Sequence, residues 1–527
     1  MSGTTRPGGP DVPRFPTLSA TAAHHARARP DAVAVECEGR AVTFLEFHRR
    51  GNRTAHALIG EGVAPGTRVA YLGRDSEHYH ELLLGCARTG AVLVPADPRL
   101  TPGEVAHVLS DSGAELLFAD QDHLATVAAL RPRLDGLRNV VALTDEGPEG
   151  FAAWRDGHPD TDPDPDLGNG PGAPLAQLYT SGTTGAPKGV VLAQSTFWAI
   201  NDLLARHALD WLDWRPDDRS LNVLPGHHIG GPWWFLQGFR AGATNVVARG
   251  FDARRTLRWF RDGGITTTLV VPSMLTILLA EPGVGPGDFT GLRKVVYGGS
   301  PMPETLLKQC LEVMGCDFAQ IYGLTETCAS AVCLPPADHV PGGPRLRAAG
   351  RPYPGVAVQA VDRSGAPLPP GEVGELRIDT PALMDGYWRR PAETARTVVD
   401  GWLLTGDAGH VDEDGYVFLH DRIKDTVLVA GENVYPAEVE AALRAHPGVA
   451  DAAVIGVPHD VRGEAVRACV VARPGAAPTP RELITFLRGV LADYKIPTSF
   501  EFLDELPRNA SGKVLRRHLR DRAREKG

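Results

Sequence analysis

Twelve consecutive residues, Tyr179 to Val190, concentrate the means to hold a polyanion. They carry four hydroxyls (Thr180, Ser181, Thr183, Thr184), three glycines (Gly182, Gly185, Gly189) and one lysine, Lys188. Glycine lets the backbone approach an oxyanion and aim N–H groups at it, hydroxyls add donors, and Lys188 adds charge. That chemistry suits a polyphosphate. An apolar run, Leu175 to Tyr179, precedes the segment and reads as a strand. A polar hairpin turn is the alternative, and the loop's length and density of hydroxyls weigh against it. The order is not that of a GxxxxGK[ST] loop, because Gly189 follows Lys188. Lysine is scarce: of 54 Lys and Arg residues only seven are lysines, at 188, 294, 308, 424, 495, 513 and 526. A lysine retained in an arginine-rich chain is a candidate for chemistry that needs a compact point charge.

The segment resembles the signature phosphate loop of the acyl-adenylate-forming enzymes, which include acyl- and aryl-CoA ligases, peptide-synthetase adenylation domains and beetle luciferases. Further segments resemble that family's motifs, in its order, from about residue 17 to residue 520. Leu224-Pro-Gly-His227-His228-Ile-Gly230 resembles the motif that borders the acyl pocket, with His228 at the bordering position. Tyr297-Gly298-Gly299-Ser300-Pro301 resembles the loop that lies along adenine. In Gln320-Ile-Tyr322-Gly323-Leu-Thr325-Glu326 the resemblance implies that Tyr322 stacks on adenine, Thr325 contacts the α-phosphate and Glu326 holds Mg²⁺. An aromatic face does suit a purine, and a carboxylate beside polyphosphate suits a hard cation. By the same resemblance Asp407 takes the ribose hydroxyls and Arg422 lies near them. Lys424 is the domain pivot, Gly431 opens a loop that shapes the thiol tunnel, and Lys513 is a mobile catalytic lysine.

The implied reaction has two halves. A carboxylate attacks the α-phosphate of ATP to give an acyl-adenylate and pyrophosphate, and a thiol then displaces AMP. Positioning and electrostatics should dominate, with Lys513, Thr325, Glu326, Lys188 and His228 as the catalytic set. No general base is needed, because the acid is already ionised at neutral pH. ATP, Mg²⁺ and coenzyme A are the expected cofactors. The substrate is expected to be a small, medium-chain or aromatic carboxylic acid. Loading of a carrier protein, or transfer to a nitrogen nucleophile, stays open. A catalytically dead scaffold is disfavoured, since every expected charged residue is present. The chain departs from the family at Ala193-Gln194, where a Thr-His pair is usual, at the His227-His228 doublet, at Trp233-Trp234 and at Ala430. The two indoles read equally as core or as the floor of a shortened pocket.

The elements that must position these residues follow a βαβα rhythm. Strand-like runs at 32–36, 68–72, 91–94 and 115–119 alternate with helices opened at Thr43 and Thr101 and one at 78–88. Residues 145–174 read as a surface loop and 353–378 as a β-rich stretch forming a small sheet or barrel. Beyond Asp421 strands and helices restart, ending in a helix capped at Thr479. The expected fold is α/β, with a large N-terminal domain of layered α/β sheets plus a small β-subdomain, then a small mobile α+β C-terminal domain. Residues 1–16 are expected to be disordered, 17–421 to form the adenylate-forming domain and 422–527 the mobile domain.

With 527 residues, more than one domain is expected. A net charge of -10 argues against a nucleic-acid partner. No stretch approaches a membrane span and the N-terminus lacks an apolar signal core, so a soluble, cytoplasmic protein is expected. The seven cysteines include no CxxC pair, and Cys328 and Cys333 read as structural. A homodimer is left open.

Overall fold

The computed structural model describes residues 15–164, 167, 169–180, 187–300, 302–429, 432–459, 463–508 and 514–525. The chain divides into two compact units, Met1–Ala357 with Ile378–Leu403 and Val358–Arg377 with Leu404–Gly527.

Two sheets organise the large unit. One has seven strands, running Gly386–Tyr387, Lys188–Ala193, Pro174–Thr180, Val92–Ala96, Arg68–Leu72, Leu116–Ala119 and Asn139–Ala142. Its strands from Val92–Ala96 to Asn139–Ala142 pair in parallel. Arg68–Leu72 and Val92–Ala96 are buried at every position, as strands covered on both faces must be. The second sheet has nine strands, and Lys294–Gly298 and Asp317–Tyr322 lie parallel within it. Helices start where the caps predict. Thr101 and Glu104 make both halves of a capping box before Pro102–Ser112. At Phe44–Gly60 only half forms: Thr43 accepts from the Glu46 N–H, while the Glu46 carboxylate turns to Arg50 at 2.9 Å.

Two readings change here. The stretch 145–174 is not all loop, because Phe151–Asp156 is a helix whose Phe151 packs against Phe118 with ring centroids 5.7 Å apart. One and a half turns is too short to show a helical period. Trp233 and Trp234 lie in the helix Gly230–Ala241 at 0% and 1% exposure. Trp234 packs on Trp214, with centroids 4.3 Å apart. In this conformation both indoles are core.

The second unit holds most of a small sheet on Ala357–Val361, Gly374–Asp379, Val398–Val399, Trp402–Val411 and Val417–Arg422, the expected β-rich segment extended by three further strands. Its other sheet is built around the hairpin Val449–His459 and Gly463–Ala472. Period-two alternation sorts its residues between two cores. Ala452, Val454, Val466, Ala468 and Val470 meet Val439 and Leu443 of Pro436–Arg444 and Leu483 and Leu487 of Pro480–Arg488. Ala453, Ile455 and Cys469 meet Leu519 and Ala523 of Arg516–Glu525. The helix capped at Thr479 is therefore not the last one. In Arg516–Glu525 just two apolar residues, at i and i+4, face the sheet amid charges, which left no apolar run to read.

Candidate active site

The phosphate-loop segment is a hairpin connection. Pro174–Thr180 and Lys188–Ala193 pair antiparallel with Thr180 opposite Lys188, so the strands deliver both ends of the loop to one place. Ser181, Gly182, Thr183, Thr184 and Gly185 lie outside the described residues. Gly189 is obligatory, because a Cβ there would stand 2.5 Å from Gln177 Nε2 and 2.9 Å from its Cγ. Gln177 has no room to yield: Arg68 donates to it at 3.2 Å and it donates to the Tyr179 hydroxyl at 3.1 Å. Tyr179 in turn donates to Asp111 at 2.7 Å.

Lys188 points its ammonium at Glu393 Oε1, 2.7 Å away, and over the Tyr387 ring, 3.8 Å from the centroid. The side chains are 11% and 18% exposed for Lys188 and Glu393. Tyr387 belongs to the strand Gly386–Tyr387, which pairs with Val190 and Val191 next to the loop. Its hydroxyl donates to Glu326 Oε1 at 2.7 Å. Burial first, and then the Glu326 carboxylate, push the phenol well above its ordinary pKa.

Glu326 comes from the turn that follows Asp317–Tyr322. Gly323 permits that turn, since a Cβ would lie 2.6 Å from Ala329 O. Thr325–Thr327 is a single 3₁₀ turn, after which Cys328 and Ala329 take positive φ of 48° and 77°. Two successive non-glycine residues in that region store strain of roughly 1–3 kcal/mol each. Tyr322, Gly323, Thr325 and Glu326 thus sit at the C-terminal edge of the parallel strands, beside Gly298 and the exposed Gly299 and Ser300. Ligands of open α/β sheets bind at this edge. Gly298 allows a close approach, as a Cβ there would lie 2.6 Å from Ile321 O.

In the second unit Asp407 and Arg422 face each other across antiparallel strands, with Arg422 Nε 2.8 Å from Asp407 Oδ1. Arg422 also donates to Thr405 O at 3.1 Å. Lys513, Gly431 and the Lys424 side chain lie outside the described atoms. The loop that carries Lys513 is closed at its base by a bridge between Arg508 and Val514. Arg508 is tied to Asp451 at 2.5 Å, and Arg516 to Glu440 at 2.6 Å.

The histidine doublet divides its work. His227 Nε2 lies 3.4 Å from Asp97 and 3.3 Å from Arg99. Although burial opposes it, hydrogen bonds from His227 and Arg99 hold Asp97 well below the usual carboxylate range. His228 Nε2 is buried and, among the described residues, has no hydrogen-bond partner. Burial and the neighbouring His227 bring its pKa down to about 4, so it is neutral at pH 7. Asp75 accepts from the Gly226 N–H at 3.0 Å and is pushed up to about 6, chiefly by burial. Where the phosphate-loop strand ends, Gln194 is a structural hub: its Oε1 accepts from Leu18 N at 3.1 Å and its Nε2 donates to Asn169 O at 3.0 Å.

The lysines sort in the same way. Lys495 pairs with Glu438 at 2.7 Å. Lys294 is buried, donates to Asp210 O at 3.2 Å, and has its pKa lowered by burial. Scarcity therefore does not by itself mark a lysine for chemistry. Sequence reasoning missed Tyr387 and Glu393. Both lie in Gly386-Tyr-Trp-Arg-Arg-Pro-Ala-Glu393, where a two-residue strand offers no period to read.

Comparison with known proteins shows the family. The model of AMP-binding enzymes matches residues 22–388, and that of the AMP-binding enzyme C-terminal domain matches residues 438–513. The chain belongs to this family, the acyl-adenylate-forming superfamily, and is a ligase. It is 57% identical over 510 residues to the fatty acid–[acyl-carrier-protein] ligase ScoC of Streptomyces coeruleorubidus, covering 97% of each chain. It is 38% identical to a feruloyl-CoA synthase of Amycolatopsis sp, covering 94% of this chain and 97% of the relative. The structure of ATP-bound MatB from Rhodopseudomonas palustris superposes with a TM-score of 0.86 at 30% identity, covering 96% of this chain and 99% of that one. Among the described residues no helix is long and apolar enough to cross a membrane.

Proposed function

We propose that the protein activates a fatty acid as its acyl-adenylate and transfers it to the phosphopantetheine thiol of a carrier protein. The observation that carries this reading is 57% identity, across 97% of both chains, to a fatty acid–carrier-protein ligase. Coenzyme A, the acceptor expected from the motif variants, is the second reading, favoured by the feruloyl-CoA synthase relative. The two acceptors end in the same thiol, so the acyl-transfer chemistry is common to both.

In the first half-reaction a carboxylate oxygen attacks the α-phosphorus, and the bond to the bridging oxygen of pyrophosphate breaks. Lys188 would balance the polyphosphate charge, and the loop hydroxyls of Thr180, Ser181, Thr183 and Thr184, with the backbone N–H groups at Gly182 and Gly185, would donate hydrogen bonds to it. Glu326 fits a hard cation: Oε1 is held by Tyr387, and among the described residues Oε2 accepts no hydrogen bond. Mg²⁺ held there would neutralise charge on the leaving group. The family resemblance assigns Tyr322, Gly298, Gly299, Ser300 and Gly323 to the adenine, and Asp407 and Arg422 to the ribose. His228 is neutral and its Nε2 has no partner among the described residues, so in the tautomer protonated there it can donate a hydrogen bond to the acid. Lys513 bridges the carboxylate and α-phosphate. In the second half-reaction the thiol attacks the acyl carbon and AMP leaves. By the same resemblance, residues 422–527 would turn about Lys424, withdrawing Lys513 and bringing in the loop at Gly431.

The test is acid-dependent ATP–pyrophosphate exchange over a series of fatty and aromatic acids, followed by AMP release with CoA or with holo carrier protein. Acid-dependent exchange with a fatty-acid optimum, and AMP release that needs carrier protein, is expected. Turnover with CoA alone would replace the acceptor. Lys513→Ala should abolish exchange yet still transfer a supplied acyl-adenylate, and equal loss of both steps would refute its assignment.

A further inference from the structure

Lys188, Glu393, Tyr387 and Glu326 form one connected array inside the large unit. The Lys188 ammonium lies 2.7 Å from Glu393 and 3.8 Å from the centre of the Tyr387 ring, while the hydroxyl at the far end of that ring lies 2.7 Å from Glu326. The ring itself is fixed. Tyr387 is in register with Val190, its N–H donates to Thr394 Oγ1 at 2.9 Å, and the next N–H, of Trp388, donates to Gly189 O at 2.8 Å. One aromatic side chain thus supports the phosphate-loop lysine with its face and the turn carboxylate with its hydroxyl.

We propose that Tyr387 is a positioning residue that couples Lys188 to Glu326, and that Glu393 is the carboxylate a nucleotide polyphosphate must draw Lys188 away from. The inference rests on the nucleotide reading above and deepens it. The phenol fixes one oxygen of Glu326 and thereby orients the other toward a cation. The ring face steadies an ammonium electrostatically whether its counter-charge is Glu393 or phosphate. Glu393 neutralises Lys188 when no nucleotide is bound, so it competes with phosphate for the same charge. The two neighbours should therefore act with different signs. The Tyr387 hydroxyl aids binding only through the metal, and Glu393 opposes nucleotide with or without it.

The experiment is calorimetric titration of α,β-methylene ATP, with and without Mg²⁺, into wild type, Tyr387→Phe and Glu393→Gln, alongside thermal unfolding of each. Tyr387→Phe keeps the ring and should keep the Mg²⁺-free affinity, but lose about tenfold of the Mg²⁺-dependent gain, the order of one hydrogen bond to a charged group. Glu393→Gln should bind the analogue more tightly in both conditions. A Mg²⁺-dependent gain unchanged in Tyr387→Phe, or affinity lost equally with and without Mg²⁺, would overturn the coupling. Weaker binding by Glu393→Gln would overturn the competition, and this variant carries the test alone if Tyr387→Phe does not fold. A wild-type protein that binds no analogue would overturn the nucleotide reading itself and the inference with it. Binding by wild type with unaltered variants would overturn the inference alone.

Discussion

Acid should unfold the large unit through its buried histidines, and the size of the effect can be worked out. His80 is stacked on Phe235 with centroids 3.4 Å apart, and its Nδ1 is buried without a partner among the described residues. Burial brings its pKa down to about 3, and burial brings His228 and His339 down to about 4. In the unfolded chain each would titrate near its ordinary value of about 6.5. Between these values the unfolded state binds more protons than the folded one, so stability falls as pH falls through 6.5 and levels off only near the folded pKa. At about pH 5 each histidine costs roughly 2 kcal/mol, and these three cost roughly 6 kcal/mol. Asp75 works the other way: its folded pKa of about 6 lies above the ordinary 3.8, so the folded state gains a proton first. That returns about 1.4 kcal/mol at about pH 5, so these four groups together lose roughly 5 kcal/mol relative to about pH 8. All nine tryptophans fall within the large unit's span, but Trp402 opens a strand of the second unit's sheet, so in a Trp402→Phe background indole fluorescence during denaturant unfolding reports the large unit. The diagnostic variant is His80→Phe, which keeps a ring against Phe235 and removes one titration. It should lose roughly 2 kcal/mol less than wild type between about pH 8 and about pH 5. Identical pH dependence in variant and wild type would refute the reasoning.

Three further outcomes are expected. Gly189→Ala drives a methyl into Gln177 and should destabilise the large unit by about 1–3 kcal/mol, with lower pyrophosphate exchange; a wild-type melting temperature would contradict the contact. Arg516→Met leaves the buried Glu440 carboxylate with only the longer ion pair to Arg444, at 3.9 Å, and should cost the second unit about 2–3 kcal/mol. Hydrogen exchange in Arg516–Glu525 and Pro436–Arg444 should then accelerate while the tryptophan-reported transition stays put. Trp233→Ala should cost about 3–5 kcal/mol of large-unit stability, because the indole is core. If it instead left stability intact and admitted longer acids, the indole would be a pocket wall.

What could be read in the chain and what could not divide along the range of the interactions involved. The phosphate loop was legible because its chemistry is written in consecutive residues, and the capped helices at Thr101 and Thr479 were legible because a capping box spans only four. Tyr387 and Glu393 lie about 200 residues beyond Lys188, and only the antiparallel pairing of Tyr387 with Val190 brings them to it. No local pattern marks such a residue, since its function comes from a neighbour supplied by the sheet. The same physics explains Gln194. Read against the family it is a departure from a Thr-His pair. In the folded chain it is a buried amide with bonds to Leu18, Ala87 and Asn169, three segments far apart in sequence. A motif change beside a catalytic loop can therefore alter what holds the loop's strand in place while leaving the loop's own chemistry unchanged. Activity alone could not separate these roles. Gln194→Ala would lower exchange through loss of support, and its mark would be a matching fall in large-unit stability, whereas Lys188→Met should lower exchange with little loss of fold beyond its Glu393 pair.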